Sequence, residues 1–289
     1  MQHKALFIIN PKAGVRRKMD IPAFIREHFP AGIEKEIVLW KDPNDFESIR
    51  QRIVSGGFTI AVAVGGDGTV NQVAAALNHT DVALGVLPFG SGNGLARSIG
   101  ISMNIKNALQ QIATGRIRKV DSGTINGIPF FCTSGTGFDA HIGHLFAGNT
   151  KRGFLTYCKI IFRELSSYKP QEYEINIDGK EMKQTAFLLT FANAGQYGND
   201  FYIAPGALMD DGLLQVIVVR PFSFFVAPFI IWKVFRRKAA NSKYIETYAG
   251  KNITVKVKGE AAIHFDGEPV TTDKDIEVKV MPGTLNVIS

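Results

Sequence analysis

Cysteine is scarce in this chain. Cys132 and Cys158 are the only two among 289 residues, which excludes a disulfide framework and offers no metal-ligand spacing. Two free thiols in a reducing compartment are expected, and the cytoplasm is the expected location. The six histidines also lack ligand spacing. His141 and His144 form an i, i+3 pair without further ligands, so no zinc centre is expected. Long apolar runs are missing too. Residues 5–9 are too few for a signal core and end in Asn10-Pro11. The most apolar window, residues 221–235, holds two prolines and falls short of the ~20 residues of a spanning helix. There is no repeat or low-complexity tract. Gly-x-x-x-x-Gly-Lys-Ser/Thr is absent, which excludes a P-loop NTPase, and so is the protein-kinase motif set.

What is present fits a globular protein of one large or two ordinary domains, with 45% hydrophobic and 20% charged residues. The net charge of +7 and a pI near 9.3 favour acidic partners. Nucleotides, nucleic acid and an anionic membrane surface all qualify on charge alone.

The first part of the chain alternates strand and helix signals. Strands are expected over Lys4–Ile9, Glu34–Leu39, residues 59–64 and residues 82–87. Helices are expected over Ile21–His28, residues 45–54 (behind Pro43-Asn44), residues 70–77 and Ile105–Thr114. This order implies a parallel sheet covered on both faces. After about residue 120 the pattern changes. Asn126-Gly127 and Asp178-Gly179 are hairpin signals, and strand-length runs recur at residues 120–125, 128–133, 173–177, 187–192, 213–219, 253–257, 262–265, 276–280 and 284–288. Helical interruptions are expected at residues 154–167 and 224–238. The fold class expected is an α/β domain over residues 1–122, with the tail 282–289 returning to it, and a mainly antiparallel β-sandwich over residues 123–281.

Gly65-Gly66-Asp67-Gly68-Thr69 lies between an apolar strand and a helix-forming run. Strand, glycine turn and helix aim backbone N–H groups at an anion, and glycines let a phosphate approach without a Cβ in the way. Asp67 would repel phosphates unless a cation stands between, so Mg²⁺ held directly or through water is expected there. A second loop, Gly90-Ser91-Gly92-Asn93-Gly94, follows one strand later with side-chain donors on Ser91 and Asn93. Two such loops on neighbouring strands can hold one polyphosphate from two sides. After the first strand, Asn10-Pro11-Lys12-Ala13-Gly14 adds a cation at the same sheet edge, and Arg16, Arg17 and Lys18 read as solvated.

The β-rich half carries weaker signals. Residues 135–140 match Gly-x-Gly-x-x-Ala outside any βαβ unit, which rejects a dinucleotide site; Asp139 remains as a candidate polar group. Asp210-Asp211-Gly212 reads as a turn before a cation corner. Asp266-Gly267-Glu268 is a hairpin signal that also brings two carboxylates close, and an alcohol acceptor for phosphoryl transfer needs a carboxylate to orient it and take its proton. Residues 222–238 combine Phe222, Phe224, Phe225, Phe229, Trp232 and Phe235 with Arg236, Arg237 and Lys238. An anionic membrane surface and a buried helix with a charged end explain this segment equally well.

In this order, Asn10–Gly14, the Gly65-to-Thr69 loop with Asn71, residues 88–93, residues 134–140, Asp211-Gly212 and residues 265–268 resemble the diacylglycerol kinase catalytic-domain family. That family includes bacterial lipid kinases of broad substrate range and sphingosine and ceramide kinases. The resemblance implies a nucleotide domain like those of phosphofructokinases and NAD kinases, a β-sandwich, and ATP in a cleft between them. It implies ATP and Mg²⁺ as cofactors and a lipid acceptor, with no nucleic acid. Asn10, Pro11, Lys12, Ala13, Gly14, Gly65, Gly66, Asp67, Gly68, Thr69, Asn71, Gly90, Ser91, Gly92, Asn93 and Glu268 would contact the nucleotide. Asp266 would be the general base, and Asp211 with the Leu213 carbonyl would hold a structural Mg²⁺. Leu208 stands where a further carboxylate could complete that site. Peripheral contact with an anionic inner membrane face through residues 222–238 and a homodimer are compatible with the same reading. An NAD kinase, which also uses Gly-Gly-Asp-Gly-Thr, and a non-catalytic regulator are the alternatives.

Overall fold

The structure, a computed structural model, describes residues 4–11, 19–40, 46–148 and 154–289. Lys12, Ala13 and Gly14 of the first loop, the cations Arg16, Arg17 and Lys18, and the Pro43-Asn44 helix entry lie outside these residues.

The elements run β1 (Lys4–Ile9), α1 (Ile21–His28), β2 (Glu34–Leu39), α2 (Phe46–Ser55), β3 (Ile60–Gly65), α3 (Asp67–Leu77), β4 (Ala83–Pro88), α4 (Gly94–Ser98), α5 (Ile105–Thr114) and β5 (Ile117–Ile125). They continue with β6 (Ile128–Phe130), β7 (Thr133–Gly137), α6 (Phe138–Ala147), α7 (Phe154–Glu164), β8 (Gln171–Ile177), β9 (Lys180–Ala186), β10 (Leu188–Ala192), β11 (Leu214–Val219), α8 (Ala227–Phe235), β12 (Ile245–Gly250), β13 (Asn252–Lys256), β14 (Ala261–Phe265), β15 (Glu268–Thr272) and β16 (Ile276–Ile288). Contacts divide the chain into two units, Met1–Val120 with Gly283–Ser289, and Asp121–Pro282.

In the first unit the strands lie in the order β2-β1-β3-β4, all parallel. β1, β3 and β4 are apolar along nearly their whole length because helices cover both faces of such a sheet. α5 supplies one cover, burying Ile105, Ala108, Leu109 and Ile112 at i, i+3, i+4, i+7 spacing. Asn104 caps it by accepting the N–H groups of Lys106 and Asn107. The C-terminal tail is part of this unit. Val287 pairs in parallel with Leu84, His79 donates its N–H to the Thr284 carbonyl, and Arg116 and Ser289 exchange backbone hydrogen bonds.

The second unit is mainly antiparallel. One sheet runs β12-β11-β10-β7-β14-β15. β8 pairs with β9 and β13, and β13 pairs with the Ile276–Lys279 part of β16. Leu189, Phe191, Val216, Val218, Ile253, Val255, Ile276 and Val278 belong to one core cluster, as alternate residues of paired strands should when one face is buried. A second cluster lies under the helices, with Phe138, Ile142, Ile160, Ile230 and Val234 packed around Phe187 and Ile217. No helix among the described residues is long and apolar enough to cross a membrane.

Candidate active site

The order β2-β1-β3-β4 reverses direction between β1 and β3, and ligands of open α/β sheets bind beyond the carboxyl ends of strands at such a point. Asn10 follows β1, Gly65 ends β3 and Pro88 ends β4, so all three expected loops leave the same sheet edge. Asn10 donates its N–H to the Val64 carbonyl and its side-chain amide to Thr69 Oγ1 at 3.0 Å. The buried Thr69 thereby ties the end of β1 to the first turn of α3. Asn71, on the next turn, is buried as well.

Asp67, the residue expected to hold Mg²⁺ directly or through water, accepts two backbone N–H groups. Its Oδ1 accepts the Gly94 N–H at 2.8 Å and its Oδ2 accepts the Asn93 N–H at 3.1 Å. The carboxylate thus fastens the first glycine loop to the second. Asn93 closes the second loop on itself: its Oδ1 accepts the Gly90 N–H and its Nδ2 donates to the Gly90 carbonyl. It does so with φ +51°, a left-handed conformation that Asn tolerates better than most residues. The N–H groups of Gly90, Asn93 and Gly94 are therefore engaged by side chains, whereas those of Asp67, Gly68 and Thr69, in the first turn of α3, have no intrahelical acceptor. The positive end of the helix dipole lies there.

The glycines make this proximity of loops sterically possible. A Cβ on Gly90 would lie 2.7 Å from Gly66 Cα, and one on Gly92 would lie 2.8 Å from Asp67 Oδ2. The glycines were expected to make room for phosphate; here they first make room for each other's loop.

In the second unit Asp266 sits in the turn between β14 and β15 with φ +47°. Its Oδ2 accepts the Phe131 N–H, and its Oδ1 accepts the N–H groups of Cys132 and Thr133, all within 2.9 Å. This carboxylate anchors the hairpin to the chain entering β7. Glu268, two residues on, opens β15 and is exposed.

The Asp211 corner is built from amides. Asp211 Oδ1 accepts the Leu213 N–H at 3.0 Å, and Gly212, at φ +70°, donates to the buried Asp121 Oδ2 at 2.7 Å. Leu208 is exposed. No group of three or more His, Cys, Asp or Glu side chains able to hold a metal occurs among the described residues.

Asp139, a loose candidate in the sequence, is the centre of a partly buried network. Its Oδ2 is 3.0 Å from Tyr197 Oη, 3.1 Å from Thr190 Oγ1 and 3.1 Å from His264 Nε2, and its Oδ1 accepts the Ala140 N–H. Gly135 leaves space beside it, since a Cβ there would lie 3.0 Å from Asp139 Oδ2. Neither Asp121 nor the partners of Asp139 carry a local signal in the sequence. The one available signal was a lone Asp within a stretch of small and apolar residues.

Comparison with known proteins decides the family. Residues 4–125 match the diacylglycerol kinase catalytic domain, and residues 133–289 match the YegS C-terminal NAD kinase beta sandwich-like domain. The chain belongs to the diacylglycerol kinase and YegS-like lipid kinase family. Among relatives of this family, a diacylglycerol kinase of Mycobacterium tuberculosis is 27% identical over 89% of this chain and 85% of its own length. A probable YegS-like lipid kinase of Chromohalobacter salexigens is 27% identical over 86% of this chain and 81% of its own length. A solved structure of a diacylglycerol kinase-like protein from Bacillus anthracis, described as putative, shares the fold with a TM-score of 0.79 at 22% identity, covering 99% of this chain and 95% of that one. An α/β first unit and a β-sandwich second unit are thus the architecture of this lipid kinase family.

Proposed function

We propose that this chain is an ATP- and Mg²⁺-dependent kinase that transfers the γ-phosphoryl group to a lipid hydroxyl. The acceptor class comprises diacylglycerol, a glycerophospholipid or a long-chain base. The observation that carries the reading is the pair of glycine loops at adjacent strand ends, clamped together by Asp67. The first-turn amides of α3 supply donors for phosphate oxygens. Mg²⁺ would neutralise charge on the phosphates when bound. Asp67 retains lone pairs beyond those its two amides use and can meet the ion through water, since Mg²⁺ keeps several waters and needs few protein carboxylates.

We assign the proton-accepting role to Glu268. Asp266 is engaged by three backbone N–H groups, whereas Glu268 stands exposed on the same hairpin. Asp266 then serves by fixing the turn that presents Glu268. Little covalent work is needed from the protein, because positioning and charge neutralisation dominate phosphoryl transfer. The test is a comparison of Glu268→Gln with wild type in steady-state transfer from labelled ATP to a lipid panel. Retention of full kcat by Glu268→Gln would remove that assignment. NADP as the sole product with NAD as acceptor would replace the lipid reading by the NAD-kinase one.

A further inference from the structure

We propose that the short helix α8, with the single 3₁₀ turn Phe224–Val226 before it, docks this protein on an anionic phospholipid bilayer. The proposal rests on the lipid-kinase reading and names the surface through which that kinase would meet its substrate's membrane. The sequence left open whether this segment is buried or outward-facing, and the structure divides it. Ala227, Ile230 and Val234 face the core of the second unit. Phe224, Phe225, Phe229, Trp232 and Phe235 are exposed, Phe225 to 89%. Phe229 and Trp232 stand at i and i+3 within α8, which places them on one side of the helix. The Phe229 and Trp232 rings lie 6.1 Å apart and nearly parallel.

Cations accompany this stripe. Lys233 Nζ lies 4.8 Å from the Phe229 ring centroid and the Arg236 guanidinium 5.8 Å from that of Trp232. Lys238 and Lys243 are exposed nearby. Residues 221–243 contain five Lys or Arg and no Asp or Glu. Two of these cations are also tied to the fold: Arg237 donates to Tyr202 Oη at 2.7 Å and covers that ring, and Lys233 Nζ donates to the Asn241 carbonyl.

Charge decides the occupant. A symmetric contact with a second copy would bring this cationic ring against itself, with no acid in the segment to answer it. An anionic bilayer answers it, and exposed aromatics beside cations suit the headgroup boundary. The nine residues of α8 rise only about 14 Å, so the helix lies in the interface plane and does not cross.

The test is co-sedimentation of the full chain with phosphatidylcholine vesicles, with and without phosphatidylglycerol. Phe225→Ser with Trp232→Ser, and Arg236→Glu with Lys238→Glu, are compared with wild type after circular dichroism shows that they fold. We expect wild type to prefer the anionic vesicles, the aromatic pair to lose about tenfold or more in partition, and the charge-reversed pair to lose about fivefold for each cation removed. Equal wild-type partition on both vesicles, or unchanged partition in both variants, would overturn the proposal. So would self-association in ultracentrifugation that Phe225→Ser with Trp232→Ser abolishes while vesicle binding persists, which would mark the stripe as a contact with a second copy. Partition is read without phosphoryl transfer, so a failure here leaves the kinase reading standing, and a failed kinase assay leaves this one standing.

Discussion

The Asp67 carboxylate accepts the Gly94 backbone N–H at 2.8 Å, joining residues that stand 27 apart in the chain. With the Asn93 N–H on its other oxygen, Asp67 holds two loops in one arrangement before any nucleotide arrives. Asp67→Asn places an amide N–H₂ against a backbone donor and removes the charge that strengthens both bonds. We expect unfolding free energy to fall by about 2 kcal/mol and transfer to fall about a hundredfold. Thermal unfolding without nucleotide separates this role from cation binding, because a residue that only held Mg²⁺ would leave that curve unmoved.

Gly92 tests the same clamp from its other side. In Gly92→Ala the new Cβ meets Asp67 Oδ2 at 2.8 Å, whereas nothing lies within 4 Å of a Cβ on Gly32. Nucleotide affinity measured by calorimetry should fall about tenfold, or 1.4 kcal/mol, in Gly92→Ala. Gly32→Ala should bind as wild type does.

The β14–β15 hairpin separates structure from chemistry. Asp266→Asn faces three N–H donors with an amide that can accept on one atom only, so stability should drop by about 1–3 kcal/mol. Glu268→Gln should melt with wild type and lose about a hundredfold or more in kcat. Melting curves and kcat for the two variants read the division directly. The reverse pattern would return the base to Asp266.

Alkaline pH should loosen the second unit through its tyrosines. Burial, and then the Asp139 charge, push the Tyr168 phenol up to about 12, against about 10 in an unfolded chain. Tyr173 is pushed up in the same direction by burial and by its neighbour Tyr168. Folding favours the protonated phenols, so their contribution is whole below pH about 10 and is lost as pH rises toward 12. The melting temperature should fall across that window, and Tyr168→Phe should flatten the fall. Equal slopes in the two proteins would contradict it.

Much of this was legible in the sequence for physical reasons. β1, α1, β2 and α5 are read from apolar periodicity with their observed ends, because buried parallel strands and amphipathic covers leave strong local patterns. The glycine loops are legible because three or more glycines at a strand end have few other uses. Other elements left little trace. β9 is Lys180-Glu181-Met182-Lys183-Gln184-Thr185-Ala186, a polar strand held by its ladder to β8. β7, Thr133-Ser134-Gly135-Thr136-Gly137, looks like a nucleotide turn yet is a buried strand between β10 and β14. The roles of Asp67, Asp121 and Asp266 depend on partners 26 to 135 residues away, and such pairing has no local signature. The sequence offered candidate residues, and only the fold showed which of them tie loops and strands together.

The lipid-kinase reading is tested by incubating the full chain with labelled ATP, Mg²⁺, NAD and a panel of diacylglycerol, glycerophospholipids and long-chain bases, followed by mass spectrometry of the products. A phosphorylated lipid, absent when Mg²⁺ is chelated and strongly reduced in Asp67→Asn, is the predicted result. NADP as the only phosphorylated product, or tight ATP binding with no acceptor phosphorylated, would contradict it.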